Sequence, residues 1–310
     1  MLTQVCLDKK PWLRHSWKRV LGLTDSLAII FHGGGLVIGN AEVVPKIQIQ
    51  YLVDRNFVVV LPNYRLSPQV SAVDGAIADA ENVLAWCTSG GLLKQLPPGS
   101  VSLDTSKIVT MGHSAGGMLA LYVAAKHPET VKAVSAFYPS LYLSDPSTSG
   151  HQPAADWKGA PDFAETPENM AAVKPELQVT EFPLPFPGVK PQPRHLWLMH
   201  QLKNGTWLKA IQPDGNFEAC DPAALIKTKA ATWPPTLILQ GDRDKTPAST
   251  IELAERAVAE LKAAGAKKVE VHTVPGEGHM FDILSTVGTT DLGPKWVATK
   301  KGLDHLVEHV

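Results

Sequence analysis

Apolar positions in this chain fall into short continuous runs separated by amphipathic stretches. Leu27–Phe31, Phe57–Leu61, Lys107–Met111, Val131–Phe137, Thr236–Gln240 and Val269–Val274 are rich in Val, Ile and Leu, and Gly or Pro closes each of them. Runs of that length and composition predict buried parallel strands. Helical spacing fills the intervals at Ala76–Cys87, Ala115–Lys126, Ser249–Ala264 and Pro294–Val310. In the third of these, Ile251, Ala254, Val258 and Leu261 share one face and Gly265 supplies the stop. Alternation of strands and helices predicts an α/β fold, a mainly parallel sheet with helices on both faces.

One stretch breaks the alternation. From Leu141 to Ala231 no buried strand is legible, prolines crowd Phe182–Pro187, and large apolar residues such as Leu196, Trp197, Leu198 and Leu202 recur. A structureless loop of that length is improbable inside a compact domain. The expected organisation is therefore a core of residues 1–140 and 232–310 with an inserted helical cap over 141–231.

Composition narrows the function. Twenty-nine Lys and Arg against 30 Asp and Glu leave a net charge of −1, which speaks against a nucleic-acid partner. No apolar run reaches the ~18–20 residues of a membrane span. Three scattered cysteines, Cys6, Cys87 and Cys220, do not make a disulfide framework and fit a reducing compartment. No signal or transit pattern opens the chain, so the cytoplasm is the expected location.

The chemistry lies at the ends of the predicted strands. Gly112-His113-Ser114-Ala115-Gly116 is G-x-S-x-G, placed between a strand and a helix as that motif requires. A serine hydroxyl is a weak nucleophile at neutral pH, so it needs a base, and the base needs an orienting acid. His279 is the candidate base because it sits in the loop after the last strand, at the same sheet edge as Ser114. The acid falls in the loop after the preceding strand, where Asp242 and Asp244 compete. His272 reads as a strand residue, and His305 and His309 as surface residues of the last helix. His32-Gly33-Gly34-Gly35 follows the strand expected beside Ser114, and consecutive glycines there can offer N–H donors to an oxyanion. Neither G-x-x-x-x-G-K-S/T nor G-x-G-x-x-G is met, which removes a phosphate loop from consideration.

Together these motifs resemble the hormone-sensitive-lipase-like esterases of the α/β-hydrolase fold. His32–Gly35 resembles the HGGG signature and Asn63-Tyr64-Arg65-Leu66-Ser67-Pro68 the DYRLAP segment. Gly112–Gly117 resembles the GDSAGG elbow, and Gly241–Asp244 and Gly278-His279 the acid and histidine loops. The resemblance implies a catalytic triad of Ser114, Asp244 and His279 and an oxyanion hole of Gly34, Gly35 and Ala115, with His32 bracing the loop. It implies no cofactor and no metal. The implied activity is that of a carboxylesterase acting on a small ester or lactone with an apolar portion. Acyl transfer or cyclisation in a biosynthetic pathway is the alternative, and a receptor-like binder a third reading.

The chain departs from the family pattern in several places. His113 stands for an acidic residue, Leu36 for an aromatic one that shapes the acyl pocket, and Asn63 for an aspartate whose salt bridge would be lost. Few residues precede Leu27, so the expectation is that either the leading strands are missing or the chain is a shortened form. Trp197 and Trp207 could serve as cap core or as substrate contacts. Oligomeric state is open, with a homodimer through the terminal helix as one possibility.

Overall fold

The computed structural model describes residues 4–7, 13–16, 24–97, 101–145, 148, 160–184, 190–283 and 293–310. Among them, eight strands form one sheet: β1 (Gln4–Leu7), β2 (Leu13–Ser16), β3 (Thr24–Phe31), β4 (Phe57–Val60), β5 (Ser102–His113), β6 (Val131–Phe137), β7 (Thr236–Gly241) and β8 (Val269–Val274). Their order is β2-β1-β4-β3-β5-β6-β7-β8. Only the β1–β2 pair is antiparallel.

The expectation of missing leading strands is corrected by β1 and β2. They are four residues each and lie at the sheet edge, where β1 pairs Gln4 and Val5 with Val59 and Val60. β4 is equally short, but it is wholly apolar, whereas β1 reads Gln-Val-Cys-Leu and β2 Leu-Arg-His-Ser and neither shows a continuous apolar run. β5 is longer than the run Lys107–Met111 because Ser102 and Leu103 also pair with β3, opposite Thr24 and Asp25. Ser106 N donates to Asp104 Oδ1, and the register with β3 slips between Asp25 and Leu27.

Alternate residues of the central strands feed two apolar cores. Leu27, Ile29, Phe31, Val58 and Val60 face one, and Ala28, Ile30, Phe57, Val59 and Leu61 the other. Side-chain alternation on a pleated strand dictates that division. The first core takes in the helices α2 (Ala78–Thr88) and α3 (Ala115–Lys126), and a later one over Ile251–Ala263. The second is closed by α1 (Lys46–Val53), which the hydrophobic pattern had not revealed, and by the terminal helix Gly293–Val307. α3 is buried from Ala115 to Ala125, so its almost wholly apolar sequence is a packing requirement.

The segment between β6 and β7 contains short helices, at Pro167–Val173 (α4), Pro193–Asn204 (α5), Trp207–Ile211 (α6) and Ile226–Lys229 (α7). Its apolar residues Trp197, Leu198, Trp207, Leu208 and Ile211 join the first core. An isolated antiparallel bridge also ties it to the sheet side, with Gly39 N donating to Phe182 O at 2.6 Å and Phe182 N to Gly39 O at 2.9 Å. No helix among the described residues is long and apolar enough to cross a membrane.

Candidate active site

Ser114 occupies the turn between β5 and α3 with φ 56° and ψ −124°, a left-handed conformation costly for any residue with a Cβ. Its neighbours explain how the turn is held. A Cβ on Gly112 would lie 2.1 Å from Gly116 O, and one on Gly116 would lie 2.2 Å from Phe31 O. Only glycine permits strand and helix to approach that closely. Ser114 N donates to Phe137 O at 2.9 Å, locking the turn to β6. The Ser114 hydroxyl is thereby presented at the amino end of α3.

The two loops after β7 and β8 are zipped together. Arg243 N donates to Glu277 O at 2.9 Å, and Gly276 N donates to Asp242 Oδ1 at 2.8 Å. Asp242 is therefore the loop-tying carboxylate, and Asp244 is left to face the imidazole. His279 Nδ1 lies 2.7 Å from Asp244 Oδ2, and His279 Nε2 lies 2.9 Å from Ser114 Oγ. A carboxylate can only accept, so Nδ1 donates and Nε2 of the neutral ring is free to accept the serine proton. Asp244 is fully buried, yet its oxygens also accept from Thr246 N and Gln240 Nε2, each at 2.9 Å. These donors offset the cost of burying the charge. His279 keeps 18% of its side chain exposed, as a group that must meet substrate requires.

Beneath this line lies a buried network that sequence reading missed. Asp282 accepts from Tyr138 Oη at 2.5 Å and from Gln48 Nε2 at 2.6 Å, and lies 3.0 Å from His113 Nε2. Burial pushes the Asp282 carboxyl up, but His113 and the hydrogen bonds together hold it below the usual range. His113 thus ties the serine turn to the loop carrying His279, and the Tyr138 ring lies 4.7 Å from the imidazole. No spacing in the sequence links Gln48, His113, Tyr138 and Asp282, which come from four separate elements.

The glycine-rich loop closes the other side. A Cβ on Gly33 would lie 3.3 Å from Ser114 Cβ, so the loop abuts the nucleophile. His32 is buried, stacks on Tyr64 at 4.2 Å, and is pushed down to about 4 by burial. It is therefore neutral at pH 7, and its Nδ1 donates to Gly33 O at 2.8 Å. That bond fixes the peptide whose N–H belongs to Gly34. Val37 N and Ile38 N both donate to Gly34 O at 3.0 Å, which fixes the peptide whose N–H belongs to Gly35. Carbonyl and N–H point oppositely in a trans peptide, so pinning one aims the other. Ala115 opens α3, where N–H groups have no intrahelical acceptor. The loop carrying Gly34 and Gly35 and the first residue of α3, Ala115, thus flank Ser114.

The departures from the family pattern find their places. Asn63 loses no contact: Oδ1 accepts from Ala41 N at 2.7 Å and Nδ2 donates to Glu181 at 2.6 Å. A carboxylate there would face Glu181 with no proton to give. Leu36 is fully buried in the first core. Trp197 Nε1 donates to Glu165, and Trp207 Nε1 to Gly35 O, each at 2.8 Å. His305 is half-buried, contrary to its reading as a surface residue, and burial pushes it down to about 4.

Residues 28–178 match the family described as an alpha/beta hydrolase fold. Fold and motifs agree, and this chain has the α/β-hydrolase fold. Its resemblance to the hormone-sensitive-lipase-like branch stands with them. Among curated proteins it is similar to a non-reducing polyketide synthase of Preussia isomera, 27% identical over 91% of this chain and 13% of that protein. It is also 27% identical to methylphloroacetophenone synthase of Cladonia uncialis, over 92% of this chain and 12% of the synthase. The chain thus spans only a small fraction of these relatives' length. Among solved structures it is similar to a protein of unknown function from Staphylococcus aureus, with TM-score 0.68 and 20% identity over 93% of this chain and 91% of that one. A hyperthermophilic esterase from Pyrobaculum calidifontis has TM-score 0.61 and 19% identity over 92% and 75%. At such identities the structures speak for the fold alone.

Proposed function

We propose that this chain is a serine hydrolase that cleaves carboxylic esters or lactones through an acyl-enzyme. The observation that carries the reading is the unbroken line of hydrogen bonds from Ser114 through His279 to Asp244, bordered by the glycine-rich loop. Ser114 Oγ attacks the acyl carbonyl while His279 Nε2 takes its proton. Asp244 holds the ring in the required tautomer and stabilises the imidazolium. The N–H groups of Gly34, Gly35 and Ala115 receive the oxyanion. His279 then protonates the leaving alcohol, and water, activated by the same imidazole, releases the acid. Side chains, backbone and water carry every step. Residues 141–231 act as the cap, and Leu198 and Trp207 beside Gly35 supply an apolar wall for the substrate.

A second reading concerns what resolves the acyl-enzyme. The likeness to polyketide synthases spans more than nine-tenths of this chain. It favours a polyketide acyl chain as substrate, released to water, to another alcohol, or to a nucleophile of the same chain by cyclisation. Product analysis separates these, since the line from Ser114 to Asp244 serves all of them.

The test is hydrolysis of p-nitrophenyl esters from acetate to long acyl chains. Ser114→Ala is expected to lower turnover by about 10⁴-fold or more while leaving the fold intact. Wild-type rates in that variant would remove the reading.

A further inference from the structure

The glycine-rich loop is held by two different sets of contacts. Up to Gly34 its carbonyls are held from within, by His32 and by the N–H groups of Val37 and Ile38. From Gly35 onward the partners come from far along the chain. Trp207 Nε1 donates to Gly35 O. Arg194, fully buried, donates through Nε to Val37 O at 2.6 Å, through Nη1 to Val173 O at 2.5 Å and through Nη2 to Ser67 O. Ser67 N in turn donates to Leu36 O at 2.8 Å.

Gly35 has φ +62° and joins two peptide planes. The plane before it carries the N–H assigned to the oxyanion. A glycine can let φ and ψ slip together, so aiming that N–H requires the plane after it to be pinned as well. The indole of Trp207 does the pinning, and it fits without slack: a Cβ on Gly35 would lie 3.3 Å from Trp207 Nε1 and from Leu198 Cδ1.

We infer that Trp207, at the start of α6, is a positioning residue for the oxyanion hole, and that α5 and α6 are a fixed part of the catalytic site. The inference rests on the proposed acyl-enzyme reading. Its consequence is that binding and turnover depend on these helices separately. Apolar contacts with Leu198 act on binding, whereas the Trp207 hydrogen bond acts where negative charge develops.

The experiment uses the full chain with p-nitrophenyl acetate and a p-nitrophenyl alkylphosphonate, which reports attack by Ser114 directly. Trp207→Phe keeps a ring and removes the N–H. The expected result is a kcat about 10-fold lower, KM within about twofold, and phosphonylation slowed by the same factor as kcat. Replacing Trp207 by benzothienylalanine preserves the bicyclic shape and also removes the donor, so it gives the same result if the phenylalanine variant does not fold. Trp197→Phe removes a donor in α5 whose acceptor is Glu165 rather than the loop, and it leaves kcat within about twofold. The inference is overturned if either Trp207 variant turns over at the wild-type rate, if only KM changes, or if Trp197→Phe loses as much as Trp207→Phe. Failure of the underlying reading is seen separately, as Ser114→Ala retaining esterase activity and phosphonylation.

Discussion

The serine turn and the glycine-rich loop face each other across the site, yet they are held in different ways. The turn is built from contacts within one strand–turn–helix unit and its immediate sheet neighbours. Gly112 lies against Gly116, and Gly116 against Phe31 and His32. The loop begins as a local structure but is finished by Arg194 of α5 and Trp207 of α6, more than 150 residues away. The turn therefore tolerates no added atom, whereas the loop tolerates no loss of a distant donor. Steric exclusion is written into neighbouring residues, while hydrogen-bond supply comes from anywhere the fold brings close.

The sharpest way to break that comparison is to crowd the turn. Gly116→Ala places a Cβ 2.2 Å from one backbone carbonyl and 2.3 Å from another. Backbone cannot yield as a side chain can, and the expected loss is about 3 kcal/mol or more. Chemical denaturation would measure it, and a loss below about 1 kcal/mol would mean that the turn is looser than its geometry implies.

Emptying the support of the loop has the next effect. Arg194 has no carboxylate partner among its hydrogen bonds, and burial pushes it down to about 10, so it remains a cation at neutral pH on three carbonyls. Arg194→Leu leaves these acceptors buried and unsatisfied. Removing the cation also relieves its desolvation, so the net loss is about 2–3 kcal/mol, below that for Gly116. The same denaturation series reads it. Equal stability to wild type would show that the cation costs as much to bury as its bonds return.

The contrast also explains what the sequence disclosed. Ser114, Asp244 and His279 were legible because each lies within a short motif just beyond a strand, and strand ends converge in a parallel sheet. Asp244 and Asp242 were separable only by resemblance until the loops were seen zipped through Gly276 and Glu277. Six strands announced themselves by their apolar composition, while β1 and β2 mix polar and apolar residues and did not. Arg194 gave no signal, since an arginine in an amphipathic helix ordinarily reaches solvent. Trp207 stood out as a large residue, but its role lies in a single N–H. The network around Asp282 was invisible because no two of its members are neighbours in sequence except through the fold.

The last expected effect concerns pH. Burial lowers His32 from 6.5 to about 4, so the unfolded chain binds a proton that the folded chain refuses. Stability is fully present above about pH 6.5 and falls as pH drops towards 4, by about 3 kcal/mol at most for this group. His305 shifts in the same direction to about 4 and adds a second, similar slope. His32→Asn should make the acid dependence of stability between pH 6.5 and 4 shallower. An unchanged slope would place the proton uptake elsewhere.

The central claim is that Ser114 carries the acyl group. Its most direct measurement is the intact mass of the protein after brief exposure to a p-nitrophenyl ester, quenched in acid, followed by mapping of the modified peptide. The expected result is one acyl group per chain, on Ser114, absent from Ser114→Ala and accumulating less in His279→Ala. An acyl group on any other residue, or turnover by wild type with equal turnover by Ser114→Ala, would contradict the account.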